Sequence, residues 1–308
     1  MSFRLNILRL AIVTISARIV LGVSTAAQAP QVFHAETAAI PVSVSVVDGR
    51  RVVAGLTVDD FVLTDNGVRQ TLTSTTLENI PIDLTLVVDA SGSLDRKTLD
   101  QFKTDIGALA GMLTTDDQFR LVLFAATAVD VFGWQPGGGA LPPGPIAGGG
   151  STGFYQTLAA VLARRAQPGR RHLVVAMTDG FDNISLLDEN DVEHMANTGD
   201  AVVHIVLRES EPGNGTLAWG WTPFTGPGNT EQLRKAAEAT GGRLRQVKAD
   251  ASLLDEFRTA INEFRTSYLL WYTPKGVDRS GWHTIDVEVK NGRYTVRARR
   301  GWDGGLRP

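Results

Sequence analysis

The chain has 308 residues, of which 43% are hydrophobic, so it can bury a large core in two domains or in one large domain with appendages. Its formal net charge of −3 argues against general binding to nucleic acids. The absence of cysteine excludes disulfides, zinc sites with thiolate ligands and cysteine nucleophiles.

Residues 1–29 have the pattern of an export signal. Arg4 and Arg9 precede a mostly apolar stretch over 10–23, and the small residues suited to cleavage follow it. An uncleaved anchor is the alternative, although this stretch, interrupted by Arg18, is shorter than the ~20 residues that a spanning helix needs. We therefore expect an exported protein, periplasmic or secreted, with no integral membrane span after removal of the signal.

A small β segment is predicted over residues 30–80. Apolar and polar residues alternate over 42–46, which is typical of a strand with one buried face. The triplet Asp65-Asn66-Gly67 is a strong signal for a hairpin turn, and it separates predicted strands at 61–64 and 68–75.

The central segment, residues 81–265, alternates strands and helices. This alternation predicts an α/β fold with a doubly wound, Rossmann-like and mostly parallel sheet that has helices on both faces. The predicted strands lie at 83–89, 119–125, 130–133, 172–178, 201–207 and 243–247. The predicted helices lie at 95–113, 153–165, 188–197, 230–240 and 251–264. The second and third strands are close enough to form a hairpin, which gives the sheet one antiparallel edge.

The β pattern returns in residues 266–308. Strands are predicted at 269–273, 284–289 and 294–298, with a hairpin turn at Asn291-Gly292. Neither terminal β segment is large enough to be stable alone. We therefore predict that the N- and C-terminal strands pair into one small β-sandwich, from which the chain leaves for the α/β domain and to which it returns.

Oxygen-bearing side chains follow two of the predicted central strands. The run Asp89-Ala90-Ser91-Gly92-Ser93 follows an apolar strand, and Asp179 ends another one. In open α/β sheets ligands bind outside the carboxyl ends of the strands, so these groups meet if the two strands are neighbours. Thr152, or Ser151 before it, begins a helix after a glycine-rich stretch and could reach the same place.

Hydroxyl and carboxylate oxygens are the ligands that hard divalent cations prefer. The sequence therefore predicts a site for Mg²⁺, with Mn²⁺ or Ca²⁺ as alternatives, formed by Asp89, Ser91, Ser93, Thr152 and Asp179. Each residue also has an ordinary interpretation, because the aspartates could cap helices and the serines could occupy turns. The coincidence of three segments favours the metal site.

Residues 81–265 resemble the von Willebrand factor type A (VWA) domain. The D-x-S-x-S motif at Asp89, the later Thr152 and the further Asp179 stand in the order of that family's metal-ion-dependent adhesion site (MIDAS). The flanking Val47-Asp48-Gly49, the run Gly-Leu-Thr-Val-Asp-Asp-Phe over 55–61 and the C-terminal Arg299-Arg300-Gly301 are similar to an exported bacterial subfamily with flanking β segments.

The resemblance implies a role for each of these residues. Ser91, Ser93 and Thr152 would supply hydroxyl ligands, while Asp89 and Asp179 would act largely through bound water. One metal position would then stay open for an acidic side chain of a protein partner, which an under-neutralised cation attracts.

A loop rich in glycine and proline follows the strand predicted at 201–207 and carries Trp219, Trp221 and Phe224. If that strand is parallel to the strand of Asp89, the loop emerges on the metal side, where exposed aromatic residues make a good contact patch for a partner. The alternative is that these residues fold back over a helix as a small satellite core.

The function predicted is metal-dependent binding of a protein partner, without enzymatic activity. One alternative is a structural envelope protein whose metal only stabilises the fold. A metal-dependent phosphohydrolase is a weaker alternative. Ser91 stands where aspartyl-phosphate enzymes place a second aspartate, and the chain has neither a G-x-S-x-G elbow nor a Walker-type loop.

Overall fold

The chain folds into a central sheet covered by helices and two smaller antiparallel sheets. The computed structural model describes residues 39–49, 51–76, 80–92, 96–139, 149–167, 169–209 and 227–305, all of which belong to one compact unit, Thr37–Pro308. The export signal predicted for residues 1–29 lies outside these residues. Within them, no helix is both long and apolar enough to span a membrane.

The described residues form strands and helices that are numbered here in chain order. Strands β1 to β16 are Ile40–Asp48, Arg51–Val52, Phe61–Asp65, Val68–Arg69, Leu72–Thr76, Ile82–Asp89, Gln118–Phe124, Ala128–Asp130, Gln135–Pro136, Arg171–Thr178, Val202–Arg208, Arg243–Val247, Tyr268–Tyr272, Trp282–Val289, Thr295–Ala298 and Gly301–Asp303. Helices α1 to α5 are Arg96–Ala110, Phe154–Leu162, Glu189–Thr198, Pro227–Ala239 and Leu253–Arg265, and a short 3-10 helix spans Val58–Asp60.

The central sheet has the strand order β12-β11-β10-β6-β7-β8, and β9 also pairs with β7. Strands β12, β11, β10, β6 and β7 are parallel, whereas β8 and β9 are antiparallel to β7. Strand β6 is buried along its whole length, including its polar residues Asp83, Thr85 and Asp89, as expected for a central strand of a parallel sheet that is covered on both faces. The predicted parallel sheet with one antiparallel edge is confirmed, although β8 lies two residues earlier than expected.

Helices cover both faces of this sheet. Helices α1 and α5 share one hydrophobic cluster with Leu84, Leu86 and Val88 of β6. Helices α2, α3 and α4 share a second cluster with Val87 of the same strand. Because successive side chains of a strand point to opposite faces, the two clusters lie on opposite sides of the sheet. Among the described residues, the buried members of both clusters lie between 82 and 264.

Strands from the two terminal segments pair with each other. Strand β1 lies between β13 and β15, and β5 pairs with the other edge of β13. In a separate sheet, β14 lies between β3 and β16. Side chains of both sheets share a third cluster, which includes Val44, Leu63 and Tyr268. The domain boundaries at residues 30, 81 and 266 stay predictions.

Two turn predictions had different outcomes. The β3–β4 hairpin forms, with Asn66 at φ 47° and Gly67 at φ 77°, as a type I′ turn requires. The hairpin predicted at Asn291-Gly292 was wrong. Strand β14 pairs with β3 and β16, whereas β15 pairs with β1, so the chain changes sheet between them. Gly292 has φ 123°, outside that turn geometry, and Val296 packs against the third cluster.

Glu263 of α5 links the central and terminal sheets. Its buried carboxylate accepts a hydrogen bond from Ser45 of β1 at 3.2 Å. It also pairs with Arg243 of β12 at 2.6 Å and with Arg297 of β15. His204 of β11 is buried and lines a small cavity together with Ser45 and Glu263. The junction is therefore a buried network of charged and polar groups.

A second link fixes the orientation of the central strands. Arg171, the first residue of β10, donates hydrogen bonds to Ser43 at 3.2 Å and to Ser267 at 2.5 Å. The guanidinium of Arg171 also lies 4.1 Å from the ring centre of Phe264. The beginnings of the central strands therefore face the terminal sheets, and their carboxyl ends point away from them.

Candidate metal centre

The strands that carry the two aspartates are neighbours. Strands β6 and β10 are parallel and pair Val88 with Met177. Asp89 and Asp179 therefore leave adjacent strands at the same carboxyl edge of the sheet. The side chain of Asp89 is fully buried, and that of Asp179 is half-buried.

Hydrogen bonds hold the Asp89 carboxylate in one orientation. The backbone N–H of Ser91 donates to Asp89 Oδ1 at 2.8 Å, and the hydroxyl of Thr178 donates to Asp89 Oδ2 at 3.3 Å. The N–H of Ala90 donates to the carbonyl of Phe124 at 2.8 Å, which fixes the turn against β7. Ser91 is only 1% exposed, so its hydroxyl is enclosed in the same turn.

The surroundings of Asp89 disfavour its ionised form. Burial, followed by the charge of Asp179, raises the pKa of Asp89 from 3.8 to about 6, while hydrogen bonds from Ser91 and Thr178 lower it. Among the described residues, no lysine or arginine contributes to this pKa. A divalent cation would supply the positive charge that the two carboxylates need, and their oxygens with the nearby hydroxyls suit a hard cation.

Backbone hydrogen bonds place the segment of Thr152 against the turn that follows β6. The N–H of Gly149 donates to the carbonyl of Ala90 at 2.6 Å, and the N–H of Gly92 donates to the carbonyl of Gly150 at 3.2 Å. Thr152 is 5% exposed, whereas Ser151 is half-buried. The structure thus brings Asp89, Ser91, Thr152 and Asp179 to one edge, with Ser151 beside Thr152.

Sequence reasoning missed the loop that holds Thr152 in place. The N–H of Thr152 donates to Asn183 Oδ1 at 2.8 Å, and the N–H of Asn183 donates back to the carbonyl of Thr152 at 3.0 Å. Asp182 Oδ2 accepts from the N–H of Tyr155 at 2.8 Å in the first turn of α2, whose N-cap is a glycine. The signal that could have identified Asp182 and Asn183 was the recurrence of amide and carboxylate side chains directly after the Asp179 that ends a buried strand.

Several predicted site residues lie outside the described part of the chain. They are Ser93, Trp219, Trp221 and Phe224, and their roles stay predictions. Strand β11 is parallel to β10 and therefore to β6, so the chain leaves β11 at the edge that carries Asp89. Among the described residues, no group of three or more histidine, aspartate or glutamate side chains could hold a metal ion. The candidate centre instead combines two carboxylates with hydroxyls.

Comparisons with known proteins find distant structural likeness only. No family model and no curated protein matches the chain. Proximal thread matrix protein 1 from the mussel byssus has 16% identity and a TM-score of 0.45 over 60% of this chain and 48% of that one. Another structure of that protein has zinc in its MIDAS motif.

Two bacterial structures are similar at the same level. BatB from Bacteroides thetaiotaomicron has 14% identity and a TM-score of 0.43 over 60% of this chain and 98% of that one. The pilus adhesin SpaC from Lactobacillus rhamnosus GG has 13% identity and a TM-score of 0.44 over 62% of this chain and 31% of that one. This chain thus spans about half of the mussel protein and a third of the adhesin. Likeness this distant carries no argument about binding or activity.

Proposed function

We propose that the edge formed by Asp89, Ser91, Thr152 and Asp179 binds a divalent cation, with Mg²⁺ as the preferred ion. Through this cation it binds an acidic side chain of a protein partner. The observation that carries this proposal is that neighbouring strands bring the buried Asp89, with Ser91, and Asp179 to one edge, while backbone hydrogen bonds hold the segment of Thr152 against the turn after β6. Ser93 completes the set by the sequence motif.

The chain's own residues orient the groups of the proposed site. Ser91 and Thr178 orient the carboxylate of Asp89, and Asn183 holds the backbone of Thr152 through two hydrogen bonds, one from its side-chain Oδ1 and one from its backbone N–H. A bound cation would offer a coordination position to an incoming carboxylate. Rigid ligands lose little conformational entropy on binding, which favours affinity.

Binding fits the described residues better than catalysis does. Phosphoryl transfer by a strand-end aspartate needs a second acid–base group close by, and Ser91 occupies the position where aspartyl-phosphate enzymes have it. We therefore propose a binding module, exported to the periplasm or secreted, rather than an enzyme. Metal-dependent hydrolysis of a phosphate ester by the purified full chain would contradict this choice.

The metal is tested by thermal melting of the full chain in a titration with Mg²⁺. Binding to the folded state alone stabilises it by about 2.7 kcal/mol at a metal concentration one hundred times the Kd, so the melting temperature should rise. Asp89→Asn should abolish this rise. Asp286→Asn removes an exposed carboxylate of β14 and should keep it. An equal rise in all three proteins would refute the site.

The partner is tested by panning a random-peptide display library on the full chain with Mg²⁺ or with chelator. Selected peptides should carry aspartate or glutamate and should be released by chelator and by Asp89→Asn. If Mg²⁺ stabilises the protein but no metal-dependent peptide is selected, the metal has a structural role and the binding function is wrong.

A further inference from the structure

An exposed apolar cluster lies in the loop between β10 and α3. Leu186 is 96% exposed, Ile184 39% and Leu187 37%. Single exposed apolar residues are common on protein surfaces. Three within four consecutive positions are a patch, and patches of this kind mark interaction sites. We call Ile184, Leu186 and Leu187 the apolar ridge.

The loop holds the ridge in its exposed position. Asp182 accepts hydrogen bonds from the N–H and the hydroxyl of Ser185, at 2.9 and 2.7 Å, and Ser185 Oγ accepts from the N–H of Gln156 at 3.2 Å. On the other side, Asp188 caps α3 by accepting from the N–H groups of Asn190 and Asp191. These bonds fix the backbone on both sides of the two leucines.

The ridge follows the candidate metal centre directly in the chain. Asn183, which exchanges two hydrogen bonds with Thr152, directly precedes Ile184 in the chain. The loop begins at Asp179, so its first residue belongs to the metal centre and its later residues form the ridge. The ridge therefore belongs to the same loop as one residue of the candidate metal centre, and Asn183 ties that loop to another.

Negative charge follows the ridge. Asp188, Glu189 and Asp191 lie at the beginning of α3, and hydrogen bonds from the backbone N–H groups of Asp191 and Asn190 help to hold the pKa of Asp188 below its usual value. Such a surface repels an anionic lipid membrane and attracts a basic side chain. Along the chain, three features thus follow one another: the candidate cation site, the apolar ridge and the acidic first turn of α3.

We propose that the ridge binds the same partner segment whose carboxylate reaches the metal centre. That segment carries an acidic residue, an aliphatic or aromatic residue next along it, and a basic residue beyond. The inference rests on the proposed function and adds the partner's sequence chemistry, since it assigns one side chain to each of the three features.

The test uses the full chain, the same display library and a Leu186→Ser/Leu187→Ser variant. Peptides selected on the wild type should combine an acidic, an apolar and a basic residue. The variant should bind those peptides about tenfold to a hundredfold more weakly, because the apolar side chain no longer buries its surface against leucine. Peptides selected on the variant should keep the acidic residue and lose the preference for an apolar one.

Controls separate the two proposals. Val52→Ser removes an exposed apolar side chain of β2 and should bind like the wild type, and the ridge variant should keep its Mg²⁺-dependent rise in melting temperature.

If the ridge variant binds selected peptides as tightly as the wild type, the ridge inference is wrong while the metal-dependent function stands. If chelator leaves peptide binding unchanged, the proposed function fails instead. Ridge-dependent binding to phosphatidylserine vesicles, or ridge-dependent self-association without selected peptides, would also overturn the inference.

Discussion

Asp89 is a residue whose burial lowers the stability of the fold at the site proposed to bind a cation. Its pKa is 3.8 when exposed and about 6 in the fold. The ionised form is therefore disfavoured in the metal-free fold, and this cost develops as the pH rises from about 4 to about 6. Under the proposed function, a bound cation would offset the repulsion from Asp179, so metal binding would recover this stability. The neutral amide of Asp89→Asn should fold for the same reason.

His204 makes the stability of the fold depend on pH in the opposite direction to Asp89. Burial lowers the pKa of His204 from 6.5 to about 4; the charge of Glu263 opposes this, and Arg243 and Arg297 reinforce it. Below pH 6.5 the unfolded chain binds a proton that the folded chain does not, so stability falls as the pH falls. Between pH 7 and pH 4 this residue should cost about 3 kcal/mol.

Urea denaturation at several pH values measures this loss, and His204→Gln should reduce its slope between pH 6.5 and 4. His194→Gln, which changes an exposed histidine of α3, should retain the wild-type slope. An unchanged slope in His204→Gln would show that other groups cause the acid sensitivity.

At the scale of elements, replacing each of two glycines by alanine should change the stability of the protein in opposite directions. Gly67 has φ 77° in the β3–β4 turn, where an added Cβ is strained, so Gly67→Ala should destabilise the protein by about 1 kcal/mol. Gly107 lies on the exposed side of α1, and the space that a methyl group would occupy there is open, so Gly107→Ala should stabilise the protein by about 0.5–1 kcal/mol. Urea midpoints of the two variants check both signs. A stabilising Gly67→Ala would contradict the turn geometry.

The central elements could be predicted because each carries its own signal. The apolar runs of β6 and β10 and the rule that ligands bind at strand ends were enough to place Asp89 and Asp179 at one edge. The same reasoning could not find Asn183, because its bonds to Thr152 depend on the path of two loops. Nor could it find the partner of β15, since the Asn291-Gly292 signal is local, whereas pairing with β1 is decided by the burial of distant residues.

At the scale of the whole molecule, the three hydrophobic clusters divide the chain in a testable way. In the part of the chain that the structure describes, two clusters are built from residues between 82 and 264, and the third uses strands from both terminal segments. Removal of residues 266–308 alone should expose β1, β3 and β5 and cause aggregation, because unpaired apolar strands associate. Removal of both terminal segments should leave residues 81–265 soluble and cooperatively folded.

Size-exclusion chromatography and circular-dichroism melting distinguish these outcomes. A monomeric, cooperatively melting product of the one-sided truncation would show that β13 to β16 are dispensable for the first strands. Aggregation of the two-sided truncation would show that the central clusters depend on the terminal sheets, for example through Glu263.

The pairing of β1 with β15, followed directly by β16, has a mechanical consequence. A pulling force applied before β1 and after β16 would pass through the hydrogen bonds between these few strands, and the segment between β5 and β13 would lie outside the path of the load. Asp89 stands at the far end of strands about 25 Å long. In this antiparallel pair the two pulled ends lie side by side, so we expect tension along the chain to unzip β15 from β1 while the Asp89 edge keeps its shape.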